Sequence, residues 1–116
     1  MPLKSIFFRD DPVFEACLVK DSAHIVPGAR GAHVSKIHQV LMITDRAHIA
    51  AGEIEQTVYG PSTSAAVLAF KQQRRIINFS YQTAADSIVG KMTIAAMDAE
   101  MLALELRTGH ISPPLR

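Results

Sequence analysis

Two ten-residue stretches of this chain begin a helix in the same way, 30 residues apart. Val58-Tyr59-Gly60-Pro61-Ser62-Thr63-Ser64-Ala65-Ala66-Val67 aligns with Ile88-Val89-Gly90-Lys91-Met92-Thr93-Ile94-Ala95-Ala96-Met97. Gly, Thr and the Ala-Ala pair coincide, with apolar residues at both ends. An apolar residue anchors the approach and Gly makes the tight turn. The helix starts directly after it, with Thr in the first turn, where a hydroxyl can reach a backbone group the helix leaves unsatisfied. Paired alanines let two helices approach closely. The repeat points to an all-α chain with an internal duplication.

The remaining punctuation agrees. No stretch alternates cleanly between apolar and polar residues, and neither Asn-Gly nor Asp-Gly marks a hairpin. Asp10-Asp11-Pro12 reads as a helix start, an Asp cap followed by Pro at the first position, and Val13, Phe14, Cys17 and Leu18 follow on one face. Pro27-Gly28-Ala29-Arg30-Gly31 is a turn and the best internal boundary. Beyond it, Val34, Ile37, Val40 and Leu41 form the stripe of a second helix. Thr44-Asp45 and Gly52 punctuate the next stretch, and a short helical piece fits Glu53 to Thr57. A third long helix opens at Gly60-Pro61 and runs into Lys71-Gln72-Gln73-Arg74-Arg75, where cations suit a helix C-terminus. Asn78 to Ala84 reads as loop. The last helix runs from Gly90 towards Leu106, before Gly109. It carries two apolar stripes, Met92, Ala95, Ala96, Ala99, Ala103 and Ile94, Met97, Met101, Leu104, so either the N-terminal helix or a partner is expected to cover the second.

Composition narrows the function classes. With 116 residues, 48% apolar and 20% charged, the chain can bury a core in one small domain. A net charge of +1 argues against a dedicated nucleic-acid binder. No run of about 18 apolar residues is available to span a membrane. Lys4 is followed by a short apolar stretch that Arg9-Asp10-Asp11-Pro12 ends, which does not read as a cleavable secretory signal. Tryptophan is absent, which removes a sugar site built on indole stacking. The single cysteine, Cys17, allows neither an internal disulfide nor a two-cysteine zinc site.

Tyr59-Gly60-Pro61-x-Thr63-x-x-Ala66-Val67-x-x-Phe70-Lys71, followed by Asp86-x-Ile88-Val89-Gly90-x-x-Thr93-x-x-Ala96-Met97, resembles the peptidoglycan-binding-domain family. That family shows an aromatic-Gly-Pro-x-Thr-x-x-Ala-Val-x-x-Phe-Gln half and then an Asp-Gly-x-Val-Gly-x-x-Thr-x-x-Ala-Leu half. Gly31-x-x-Val34-x-x-Ile37-His38-x-x-Leu41 looks like its opening helix, so the likeness covers Gly31 to about Asp98. His38 and Lys71 stand where the family usually has Gln. Gln56-Thr57 replaces an Asp-Gly, Ser87 a Gly and Lys91 a Pro, and the loop from Ile77 to Ala85 is longer and polar. These departures fall mainly at turns and surface positions, where a ligand would be chosen.

The resemblance implies a small three-helix bundle with a pseudo-repeat, Gly60, Thr63, Phe70, Asp86, Gly90 and Thr93 carrying its motif. It implies a non-catalytic module, without cofactor, that brings an attached or partner enzyme or effector to peptidoglycan in the periplasm or at the cell wall. With no cleavable signal read, delivery by a specialised secretion system is one expected route. Catalysis would lie in another domain, such as one attached after Arg116. The expected organisation is an N-terminal extension with one helix over residues 1–30, a peptidoglycan-binding-like domain over 31–108, and a tail over 109–116. The alternative is a docking module of a secretion system or effector that keeps the fold without the glycan ligand.

Peptidoglycan offers amino sugars and stem-peptide carboxylates, so a receptor needs cations and hydrogen-bonding groups. Candidate ligand-binding residues are Tyr59, Lys71, Arg74, Arg75, Asn78 and Tyr81, with Ser80 and Gln82 beside them. Between Pro61 and Met97 four Lys/Arg face one acid, Asp86, a local excess of +3 against an acidic-leaning first half. Each candidate also has an ordinary structural reading. Lys71 to Arg75 suits a solvated helix end, Tyr59 a core position matching Val89, and Asp86 a cap on a backbone turn. The five histidines form no ligand cluster, and His38 is expected as a hydrogen-bonder on a helix surface. No nucleophile or phosphate-loop motif is present. Cys17, in Glu15-Ala16-Cys17-Leu18, reads as a small buried hydrophobe and not as the zinc-blocking cysteine of metalloprotease pro-segments.

Overall fold

A computed structural model of the chain describes residues 3–20, 23–76 and 86–108. Among these residues the helices are α1 (Pro12–Val19), α2 (Ala32–Asp45), α3 (Ala51–Gln56), α4 (Pro61–Arg74) and α5 (Lys91–Thr108). Among the described residues there is no strand, and the fold is all-α. Asp11 caps α1 by accepting a hydrogen bond from the Val13 N–H at 3.0 Å, with Pro12 at the first helical position. Gly31, at φ 125°, releases the chain into α2. Gly52, expected to punctuate a loop, lies instead within α3, which begins at Ala51. The three inner helices end on Arg46, Thr57 and Arg75, each left-handed with φ of 50–55° although none is glycine.

The segment before α2 is a hub. Ile25 and Val89 exchange two backbone hydrogen bonds of 3.0 and 2.9 Å. A few residues on, the Gly28 N–H donates to the Tyr59 carbonyl, Tyr59 N–H to Ala29, and Gly31 N–H to Thr57, all within 3.0 Å. Residues 25–31 therefore lie between the two stretches that lead into α4 and α5. The turn at residue 30 does not divide two cores. Leu3, Phe8, Phe14, Cys17 and Ile25 are buried in the same cluster as Val34, Ile37, Leu41, Val67, Phe70, Ile94, Met97 and Met101. Phe8 and Phe14 meet edge to face, ring centroids 4.8 Å apart, and α1 packs on α5.

Helix α5 also holds the segment ahead of α1 by its backbone. The Asp98 carboxylate accepts from the N–H groups of Lys4 and Ser5 at 3.0 and 2.7 Å. Glu105, seven residues on, accepts from the Ser5 hydroxyl at 2.6 Å and the Ile6 N–H at 3.1 Å. Both carboxylates are buried. The N-terminal segment thus covers the Ile94, Met97, Met101 face of α5. Most of the alanine stripe stays in solvent: Ala95, Ala99 and Ala103 are exposed, Ala96 packs partly against the core, and Met92 and Leu106 are 51% and 73% exposed. No helix among the described residues is long and apolar enough to cross a membrane.

Candidate functional site

The first turn of α4 is capped from a distance. Glu53 of α3 reaches over Gly60, and its carboxylate accepts from the N–H groups of Gly60 at 3.1 Å, Ser62 at 2.9 Å and Thr63 at 2.9 Å. The Thr63 hydroxyl donates to the same carboxylate at 2.6 Å. These are donors that every helix N-terminus leaves open, and a carboxylate there also suits the helix dipole. Gly60 leaves room for this contact: a Cβ would stand 2.7 Å from the Glu53 carboxyl carbon and push the carboxylate off its donors. Burial pushes the Glu53 pKa up, but the hydrogen bonds from Thr63 and Ser62 outweigh it and bring it down to about 2. Behind Thr63 lies His38, whose Nε2 is 2.8 Å from the Thr63 hydroxyl oxygen. His38 is 1% exposed, so the residue expected on a helix surface belongs to a buried polar network.

The start of α5 is held by other partners. Gly90 faces the His24 ring, which a Cβ would approach to 3.0 Å, and Thr93 is buried as Thr63 is. Asp86 caps the turn ahead of it, accepting from the Ile88 N–H at 3.1 Å. Lys71, at the far end of α4, donates to Asp86 at 2.5 Å and to the Ile88 carbonyl at 2.9 Å.

The cations singled out in the sequence mostly serve these joints. Lys71 is 6% exposed and its charge meets Asp86. The Arg74 guanidinium donates to Asp45 of α2 and Glu100 of α5, and stacks 3.6 Å from the centroid of the Phe70 ring. Hydrogen bonds to Glu100 and the charge of Asp45 raise its pKa, against the effect of burial. The expected basic face at the end of α4 is therefore largely neutralised, and Arg75 is the exposed member of the three. Tyr59 offers no surface: it is 1% exposed, and its hydroxyl donates to the Ser87 carbonyl. Asn78, Ser80, Tyr81 and Gln82 lie outside the described residues.

We expect Lys71→Met to lower the unfolding free energy by about 1–3 kcal/mol, because Asp86 and the Ile88 carbonyl lose a charged donor in a largely buried site. Urea unfolding checks this; an unchanged midpoint would mean the joint contributes nothing.

A concave surface among the described residues lies elsewhere, along α4. A groove of about 310 Å³ is lined by Ser62, Ala65, Ala66, Ala69 and Gln73 of α4 and by Asp45, Ala47 and His48. The lining combines four alanines with hydrogen-bonding side chains. Sequence reading missed this lining. Its signal is present in the helical spacing of Ser62, Ala65, Ala66 and Ala69, but that pattern reads equally as a close helix–helix contact. Among the described residues no three His, Cys, Asp or Glu side chains are grouped to hold a metal ion. Cys17 is buried and its thiol is pushed up to about 11 by desolvation, which leaves it unreactive near neutrality. No family model, curated protein or solved structure matches the chain.

Proposed function

We propose that this chain is a non-catalytic peptidoglycan-binding module whose three long helices, α2, α4 and α5, form a bundle with an internal pseudo-repeat. One observation carries the reading. Both halves of the motif place a bridge-forming stretch, a glycine crowded by a side chain, a helix start and a buried threonine in the same order. Gly60, Thr63, Phe70, Asp86, Gly90 and Thr93 would carry the motif in this reading, with His24 and Glu53 supplying local contacts outside it.

The groove along α4 is the place for a ligand. Its alanines accept the methyl groups and backbone of a stem peptide, and His48, Ser62 and Gln73 offer hydrogen bonds to amides or sugar hydroxyls. Arg46 and Arg75, both exposed and each within two residues of a lining residue, supply charge for stem carboxylates. Such a module would bring an attached or partner enzyme or effector to the cell wall, and its place of action would be the periplasm or the wall itself.

The test is sedimentation with purified sacculi at low salt. The full chain is expected in the pellet, and Ala69→Glu, which puts bulk and charge into the groove at an exposed position, is expected to weaken binding about tenfold or more. A chain that stays in the supernatant while a known binder pellets would sink the proposal. A second reading, a protein-docking module without the glycan ligand, is favoured by the exposed Met92, Leu106 and alanine stripe of α5. Concentration-dependent light scattering that Leu106→Glu abolishes, without any pelleting on sacculi, would support it.

A further inference from the structure

We infer that His38, Thr63 and Glu53 form a proton-operated latch between α2 and the first turn of α4, closed while His38 is neutral and loosened when its ring takes a second proton. The hydrogen-bond geometry sets the starting state. The Thr63 hydroxyl has one proton, and the Glu53 carboxylate 2.6 Å away has none to give, so that proton points at Glu53. Thr63 must then accept from His38, so the ring carries its hydrogen on Nε2. The other ring nitrogen, Nδ1, is a bare lone pair, fully buried and without a hydrogen-bond partner.

A second proton would land on Nδ1. A buried neutral lone pair costs less than a buried charged N–H that no acceptor meets in the geometry observed. The charged group acting on the ring is Glu53, from α3. Helix α4 presents the uncharged Thr63 hydroxyl, and the stretch before α4 presents the Val58 carbonyl, which favours the protonated ring without closing a hydrogen bond to Nδ1 in the geometry observed. Desolvation outweighs both, and His38 is held below the ordinary histidine value of 6.5. To satisfy a new Nδ1–H, the 57–60 stretch must shift towards the ring or water must enter between α2 and α4. Either change disturbs the bridge between Arg30 and Val58 and the turn that Glu53 caps. Ser62, on the same carboxylate, lines the groove, so the proton reaches its wall. The latch does not depend on what the groove binds.

Linkage gives the sign. A histidine whose folded pKa lies below its unfolded value contributes stability that is complete above about 6.5 and is lost as pH falls below it. The experiment is equilibrium urea unfolding of the full chain from pH 7.5 to 5.0, beside His38→Gln, whose amide can still donate to Thr63 but does not titrate. The wild-type unfolding constant is expected to climb relative to the variant's, by up to tenfold per pH unit below about 6.5. The other histidines are common to both chains and cancel. Parallel profiles overturn the latch. Should His38→Gln not fold, ¹⁵N shifts of the wild-type ring decide alone. An Nε2–H tautomer that titrates below 6.5 supports the latch, and a ring that titrates at or above 6.5 overturns it.

Discussion

Replacing Glu53 by alanine is expected to lower the unfolding free energy by about 3 kcal/mol, a large share of what a small domain has. The carboxylate accepts four hydrogen bonds, three of them from backbone N–H groups at the start of α4. Loss of a local helix cap costs about 1 kcal/mol, and here a charged acceptor serves several donors at once, with Thr63 buried behind it. Water reaches part of the half-buried carboxylate, which keeps the cost below the sum of the bonds. The same group makes stability depend on acid. Its pKa is about 2 in the fold against 4.5 otherwise, so the unfolded chain binds its proton first. The contribution, about 2 kcal/mol after solvent screening, is complete above about pH 4.5 and is lost as pH falls towards 2. Thermal unfolding of wild type and Glu53→Ala across pH 7 to 2.5 checks both parts. The two melting curves should converge in acid, and a constant gap would show that the carboxylate's charge is not what holds the turn.

Glu53 also shows where sequence reading stops. Asp11-Pro12 announces α1 because cap and helix are neighbours in the chain. Gly60 and Gly90 announce α4 and α5 for the same reason, and the stripe Val34, Ile37, Val40, Leu41 announces the buried face of α2. Glu53 caps a helix that begins eight residues later, and nothing local marks it. The ends of α2, α3 and α4 are silent for another reason. Arg46, Thr57 and Arg75 take the left-handed conformation usually marked by glycine, so the expected punctuation is missing. The charge reading failed through pairing. The excess counted between Pro61 and Met97 leaves out Asp45 and Glu100, which lie outside that window in sequence and on either side of Arg74 in space. The alanine stripe of α5 reads in the sequence as one more apolar face, yet Ala95, Ala99 and Ala103 stay exposed, because alanine serves helix propensity as well as burial.

The other large effect is expected from Phe8→Ala, at about 3–4 kcal/mol. Phe8 precedes every element with a recognisable pattern and falls within the stretch that the sequence marks only as an extension. In the fold it is fully buried and packs edge to face on Phe14. Its backbone neighbours are pinned to α5 through Asp98 and Glu105. Truncating the ring leaves a cavity in the shared core, and the pinned backbone limits how far the segment can collapse to fill it. For a domain of this size that cost corresponds to a fall in melting temperature of roughly 15 °C or more. Asp98→Ala is expected to act in the same direction by about 2 kcal/mol, since it strips the acceptor from two N–H groups in a buried position. Hydrogen exchange separates two pictures of the N-terminal segment. If it shares the core, Phe8→Ala lowers protection in α5 together with residues 3–9, and the melting temperature falls. If it is an appendage, only residues 3–9 lose protection while the melting temperature holds, and the single-core account of this chain fails.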